Sequence, residues 1–324
     1  MAPHRTLLRR PLVGVVLLAM GAGCAGNAES ASPASPIAAA AGSGPTATLA
    51  TSSGLPIDLV ANPFRTGRTL VIPHGGGDGL YPENTMLAFS KTMAMGADVV
   101  DVDLRLTADN VLIAFHDATL DRITGEAGAL LSMTYAQLAN ADAGWSFTDA
   151  AGDHPFRSAG VTIPTMESIL VEFPDALLSL DLKDESQAMV QPVCDLLQRY
   201  GRLNDVFVGS NSDEQILSVR STCPTVRTSA IMKDVYASRD ARDTNDPDFT
   251  PAVVVDQPPF RMDGRQLVDA DSLAWAHEHG VAILPWVVND PADLQYLVDI
   301  GVDGIYTSYP DRLLKILGRY TDPG

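Results

Sequence analysis

TLVIPHGGGDGLYPENTMLAFSKTMAMGADVVDVDLRL, residues 69–106, joins a β-branched run to an apolar stretch at helical spacing and then to a second β-rich run. Strand, helix, strand in that order is the unit from which parallel sheets are wound, because a parallel neighbour needs a crossover long enough for a helix. The same alternation continues along the chain. Runs at Thr69–Pro73, Val99–Arg105, Ala176–Leu182, Val206–Gly209, Arg227–Ile231, Ala252–Val255, Val281–Val288 and Gly304–Thr307 read as eight strands. Between them lie amphipathic stretches such as Thr85–Met95, Gln187–Tyr200, Asp213–Thr222, Asp269–His279 and Pro291–Ile300. Gly96, Gly201, Gly280 and Gly301 close four of these, as helix C-caps prefer. This alternation predicts an α/β fold, a (β/α)8 TIM barrel, with Val111–Phe115 as a small extra strand inserted after the second barrel strand.

Barrels of this kind gather function at the C-terminal ends of their strands. There His74 ends the first strand, Asp101 and Asp103 lie on the second, Asp181 and Lys183 end the third, and Trp286 ends the seventh. His116 follows the extra strand, which is expected to fold back over the same opening. Side chains two apart on a strand share a face, so Asp101 and Asp103 converge. Two carboxylates so placed raise each other's pKa unless one hard divalent cation, Ca²⁺ or Mg²⁺, sits between them. A phosphodiester oxygen on that cation is polarised, and a histidine on either side can supply the base and the acid of a displacement at phosphorus.

Composition narrows the partners. With 324 residues, 46% of them apolar, the chain can bury a large core, and its formal charge of −18 excludes a binder of nucleic-acid backbones. His154, His277 and His279 read as solvated surface residues, Met86, Met93 and Met95 as core filling, and the acidic run 240–248 as a polar loop.

The first residues read as an export signal: MAPHRTLLRR is basic and PLVGVVLLAMGAG is apolar but too short to span a bilayer. Small residues lead into Cys24, an ending similar to that of lipoprotein signals, where the cysteine is lipidated after cleavage. The expected organisation is a signal peptide over 1–23, a flexible Ala/Ser/Pro/Gly tether over 24–58 and one barrel domain over 59–324. The product is an exported protein, anchored at the cell surface through lipid on Cys24 or otherwise secreted. Cys194 and Cys223 either pair in an oxidising compartment or sit apart as small buried residues.

Taken in order, HGGG (74–77), PENT (82–85), DVD (101–103), TADN (107–110), HD (116–117), Asp181-Leu182-Lys183, WVVN (286–289) and GVDGIYTSYP (301–310) resemble the glycerophosphodiester phosphodiesterase family. Its pattern runs His-Arg-Gly, Pro-Glu-Asn-Thr, Glu-x-Asp, Thr-x-Asp-Gly, His-Asp and a later Glu-x-Lys, and the match spans residues 71–314. The resemblance implies that His74 and His116 are the acid–base pair and that Asp101, Asp103 and Asp181 hold the metal. It also implies that Lys183 contacts the phosphate, that Glu83 orients a histidine or joins the metal shell, and that Trp286 walls the alcohol part of the substrate.

Three positions depart from the pattern. Gly75 replaces an arginine that would grip a phosphate oxygen, Asp101 and Asp181 are each one methylene shorter than glutamate, and Asn110 replaces a turn glycine. HGGG also resembles the oxyanion segment of lipases, but no Gly-x-Ser-x-Gly nucleophile elbow occurs in the chain. The expected substrate is a small phosphodiester. Phospholipase D-like cleavage of phospholipids or lysophospholipids is one alternative, and a non-catalytic surface lipoprotein that binds phosphodiesters is another.

Overall fold

The computed structural model describes residues 62–184 and 186–324. The expected signal, the tether and Cys24 lie outside the described residues. The strands, in chain order, are β1 (Leu70–Pro73), β2 (Val99–Leu106), β3 (Leu112–Ala114), β4 (Leu177–Leu182), β5 (Val206–Ser210), β6 (Arg227–Thr228), β7 (Val255–Asp256), β8 (Arg261–Met262), β9 (Arg265–Gln266), β10 (Ala282–Ile283) and β11 (Gly304–Thr307). The helices are α1 (Met86–Met95), α2 (Asp121–Thr124), α3 (Tyr135–Leu138), α4 (Met166–Glu172), α5 (Val190–Arg199), α6 (Asp213–Thr222), α7 (Met232–Thr244), α8 (Ala270–Glu278), α9 (Pro291–Ile300) and α10 (Pro310–Ile316).

Parallel pairing runs β2–β4–β5–β6, and β6 meets β7 at the Ser229–Val255 bridge. β7 pairs with β10, the segment after β10 reaches β11 through the Tyr306 N–H on the Pro285 carbonyl, and β11 pairs with β1. The Asp98 N–H on the Val71 carbonyl closes the ring between β1 and β2. The fold is therefore an eight-stranded (β/α) barrel, as expected. β3 lies antiparallel on the last three residues of β2 and is the anticipated extra strand. The segment it opens carries a core of its own, built from Ile113, Phe115, Leu120, Ile123, Leu130 and Leu138.

Alternation places the two faces of each strand. Leu70, Ile72, Val99, Phe207, Val255, Ala282, Leu284 and Tyr306 form one buried cluster inside the ring, with Phe64 packed edge-on against Phe207. Asp101 and Asp103 follow Val99 at the same parity, and Ser179 and Asp181 follow Leu177, so all four side chains rise on the interior face toward the C-terminal end.

Several details differ from the sequence reading. The strands expected over Arg227–Ile231 and over Val281–Val288 are each two residues and a bridge, at Ser229 and at Trp286. Pro258, Pro259 and Pro285 carry no N–H, so the ladder cannot run on from β7 into the segment around Trp286 without gaps. Part of the acidic 240–248 run is helical, forming the last turns of α7 up to a left-handed cap at Asn245. α7 buries only Asp234 and Ala241, so no apolar stripe announced it. His154 is exposed as expected, whereas His277 pairs with Asp303 at 2.8 Å and His279 stacks on Trp275, both half-buried. Met95 is buried, and Met86 and Met93 pack partly buried against the core.

Cys194 on α5 and Cys223 at the end of α6 form a disulfide, closing a loop with a sequence separation of 29. A loop of that length restricts the unfolded chain by about 3 kcal/mol or slightly more. Replacing both cysteines by alanine is expected to lower the unfolding free energy by about that amount and to raise the denaturant slope as the unfolded chain expands, measured by urea titration.

Candidate active site

His74 begins a single 3₁₀ turn, His74–Gly76, directly after β1. Gly75, Gly76 and Gly77 all adopt left-handed φ, and a Cβ on Gly76 would stand 2.9 Å from the Cβ of Ala88. HGGG is thus a backbone turn pressed onto α1. The Gly75 N–H donates to Asp101 Oδ2 at 3.0 Å, and the Gly75 carbonyl accepts the Asn84 N–H at 2.7 Å. Asn84, itself at positive φ, donates from Nδ2 to Asp103 Oδ2 (2.7 Å) and accepts the Asp103 N–H at Oδ1 (2.9 Å). Thr85 then caps α1 by accepting the Ala88 N–H. The PENT segment therefore locks the His74 loop to β2 and starts the next helix.

Asp101 and Asp103 are 6% and 5% exposed. Asp101 Oδ1 accepts from Ser179 Oγ at 2.7 Å, and Ser179 Oγ lies 2.8 Å from the Tyr306 hydroxyl, which accepts from Gln257 Nε2 at 2.5 Å. With Ser179 donating to the carboxylate, Tyr306 donates to Ser179, so every donor in the row points toward Asp101. Burial, reinforced by the charge of Asp103 and opposed by His74, raises the Asp101 pKa to about 6. Burial also drives the Tyr306 hydroxyl well above its ordinary range, which keeps it a neutral donor.

Asp103 and Asp181 stand opposite each other in the β2–β4 register, and Lys183 Nζ lies between them, 3.0 Å and 2.6 Å from their oxygens. Burial works against that ammonium, but the two carboxylates outweigh it and raise its pKa. Oxygen donors of this kind suit a hard cation, and a site built on Asp101, Asp103 and Asp181 fits one by donor chemistry. Among the described residues, however, no three His, Cys, Asp or Glu groups stand together closely enough to hold an ion.

Both histidines present Nδ1 to a carboxylate of their own loop. His74 Nδ1 is 3.0 Å from Asp78 Oδ2, and His116 Nδ1 is 2.7 Å from Asp117 Oδ1. Each Nε2 is then the nitrogen left for proton exchange. Burial opposes the charged form of His74, yet the Asp78 hydrogen bond and the charges of Asp101, Asp78 and Asp103 prevail and lift its pKa from 6.5 to about 9. Glu83 bonds neither histidine; it receives Arg122 Nη2. Arg122 also forks onto Asp117, holding that carboxylate down at about 2. Trp286 is 45% exposed and donates its indole N–H to the Gln257 carbonyl at 2.6 Å.

The structure thus sets His74, Asp101, Asp103, Asp181 and Lys183 in one connected group, with His116 reaching it through Asp117, Arg122 and Glu83. Sequence reasoning missed Asp78, Asn84, Asp117, Arg122, Ser179, Gln257 and Tyr306. Ser179 carried the clearest available signal, since it shares the interior parity of Asp181 on one strand.

Residues 74–312 match the model of the glycerophosphoryl diester phosphodiesterase family. A glycerophosphodiester phosphodiesterase of Bacillus subtilis (strain 168) is 27% identical over 268 residues, covering 78% of this chain and 88% of its own length. The glycerophosphoryl diester phosphodiesterase domain of an uncharacterized Mycobacterium tuberculosis protein superposes with a TM-score of 0.68 at 23% identity, over 78% of this chain and 99% of that one. A phosphodiesterase from Oleispira antarctica, solved in complex with the product sn-glycerol-3-phosphate, superposes with a TM-score of 0.62 at 17% identity, over 79% and 99%. This chain belongs to the glycerophosphoryl diester phosphodiesterase family. It is accordingly an enzyme, a phosphoric diester hydrolase.

A histidine whose folded pKa exceeds its unfolded one stabilises the fold fully below the unfolded value, and that contribution disappears as pH rises through the folded value. In metal-free protein His74 is expected to titrate near 9 by imidazole NMR, and its share of stability to be present below 6.5 and lost through about 9. Asp78→Asn is expected to lower that midpoint.

Proposed function

We propose that this enzyme hydrolyses glycerophosphodiesters to a glycerol phosphate and a free alcohol by in-line displacement at phosphorus. The observation that carries the reading is the pairing of His74 Nδ1 with Asp78 and of His116 Nδ1 with Asp117, which leaves Nε2 of each ring as the nitrogen for proton exchange. One histidine accepts the proton of the nucleophile, either water or a neighbouring glycerol hydroxyl, and the other delivers a proton to the departing alkoxide. Lys183 faces two carboxylates, so its ammonium is held charged where a phosphate oxygen can meet it. The half-exposed ring of Trp286 offers a flat apolar wall to the alcohol portion.

Asp101, Asp103 and Asp181 would hold one divalent cation, Ca²⁺ or Mg²⁺. When bound, it supplies Lewis-acid polarisation of a non-ester oxygen. The carboxylate-only donor set supports a hard ion over a softer one. An exported protein tethered through Cys24 suits the Cys194–Cys223 disulfide, which an oxidising compartment preserves.

The test is release of sn-glycerol 3-phosphate from glycerophosphocholine, with EDTA and then with added Ca²⁺ or Mg²⁺. Activity is expected to vanish in EDTA, to return with the ion, and to fall at least about 100-fold in His74→Ala and His116→Ala. Asp101→Asn is expected to remove the metal response. Independently of turnover, the added ion should lower the His74 midpoint and raise the melting temperature. Absence of turnover with every metal, alongside headgroup release from lysophosphatidylcholine, would move the substrate to lipids.

A further inference from the structure

His116 is the less anchored of the two histidines. His74 follows a barrel strand directly, whereas His116 comes after β3, a three-residue strand paired with the end of β2 and bridged at Ile113 to Thr165. Two arginines hold it from different sides. Arg105 is largely buried, with Nη1 on Asp184 at 2.6 Å, and gives Nε and Nη2 to the His116 carbonyl at 2.9 and 2.7 Å. That contact fixes the backbone and leaves the ring free to turn.

The ring is held from Arg122. Its Nε and Nη2 fork onto the two oxygens of Asp117 at 2.6 and 2.9 Å, and Asp117 Oδ1 meets His116 Nδ1 at 2.7 Å. The same Nη2 reaches Glu83, the neighbour of Asn84 in the loop that carries His74. A fork of this kind resists rotation of the carboxylate it grips, because two parallel bonds define an orientation where one does not. Arg122 thus spends its donors on Glu83 and Asp117, one from each loop.

We infer that Arg122 is a positioning residue for His116: it orients the Asp117 carboxylate that fixes the imidazole, and through Glu83 it ties the His116 loop to the His74 loop. The inference rests on the reading of His116 as a proton-transfer group. Arg122 has a side-chain exposure of 52%, and its partners Glu83 and Asp117 keep 21% and 23%.

The experiment uses Arg122→Ala, Arg122→Lys and Asp117→Asn in the full chain, with ¹⁵N-labelled histidine spectra, steady-state kinetics on glycerophosphocholine and thermal melting. Expected in Arg122→Ala are a shifted or broadened His116 Nδ1 signal, a kcat lower by about 10-fold or more with KM nearly unchanged, and a melting temperature lowered no more than in Asp117→Asn. Arg122→Lys should recover only part of kcat, because an ammonium cannot fork. In the Asp117→Asn background, Arg122→Ala should cost little more. An unaltered His116 signal in Arg122→Ala overturns the inference whether or not the protein turns over substrate, as does a rise in KM with kcat intact, which would make Arg122 a substrate contact. A wild type that hydrolyses no glycerophosphodiester while its His116 signal still responds to Arg122 sinks the proposed function and upholds the brace.

Discussion

Burial of two carboxylates on one face of one strand is the constraint to which the site answers. Asp101 and Asp103 sit two residues apart on β2 with almost no exposure, and like charges so close in a low-dielectric interior repel strongly. Each oxygen is therefore met. The Gly75 N–H and Ser179 hydroxyl serve Asp101, while Asn84 and Lys183 serve Asp103. These partners come from the turn after β1, the loop before α1, and Ser179 on β4 with Lys183 just past its end, so satisfying one carboxylate pair aligns three successive pieces of the barrel. His74 feels the same field, which adds to the Asp78 hydrogen bond in lifting its pKa to about 9.

That constraint explains the unusual backbone of the His74 turn. For the Gly75 N–H to face Asp101, the chain must reverse immediately after Pro73, and it does so through three left-handed residues in succession. Only glycine takes such a run without strain, and at Gly76 a side chain would also collide with α1. The turn's carbonyl then receives Asn84, whose own left-handed φ suits an asparagine. Gly75 thus has a structural use that does not depend on what stands at that position in relatives.

The sequence made the site legible wherever a period governed it. Asp101 and Asp103 are visible because a strand repeats every two residues, Asp181 stood out through its place in the family's motif order, and the register sets Asp103 opposite Asp181 once β2 and β4 are neighbours. The barrel itself was legible from the recurrence of strand and helix, though prolines near Trp286 shortened the strands that a run of apolar residues suggested. Less visible were residues whose partners are distant in sequence and obey no period. Tyr306 reaches Ser179 across 127 positions and Arg122 reaches Glu83 across 39. An apolar-looking tyrosine in a buried strand reads as core until the ring closes and sets its hydroxyl beside a serine.

The two histidines consequently occupy different mechanical settings. His74 is held by the barrel, since its turn is bonded to β2 and its Asp78 partner lies within one helical-type turn. His116 stands on the inserted segment, one residue past the Phe115 N–H that bonds the Asp103 carbonyl, so a further link must hold its loop. Arg105 makes that link to the backbone and Arg122 to the ring, one buried against Asp184 and the other half in solvent. On the proposed reading of the two histidines as proton donor and acceptor across one phosphorus, their separation must be kept, and charge-assisted forks hold the His116 side of it where strand pairing ends.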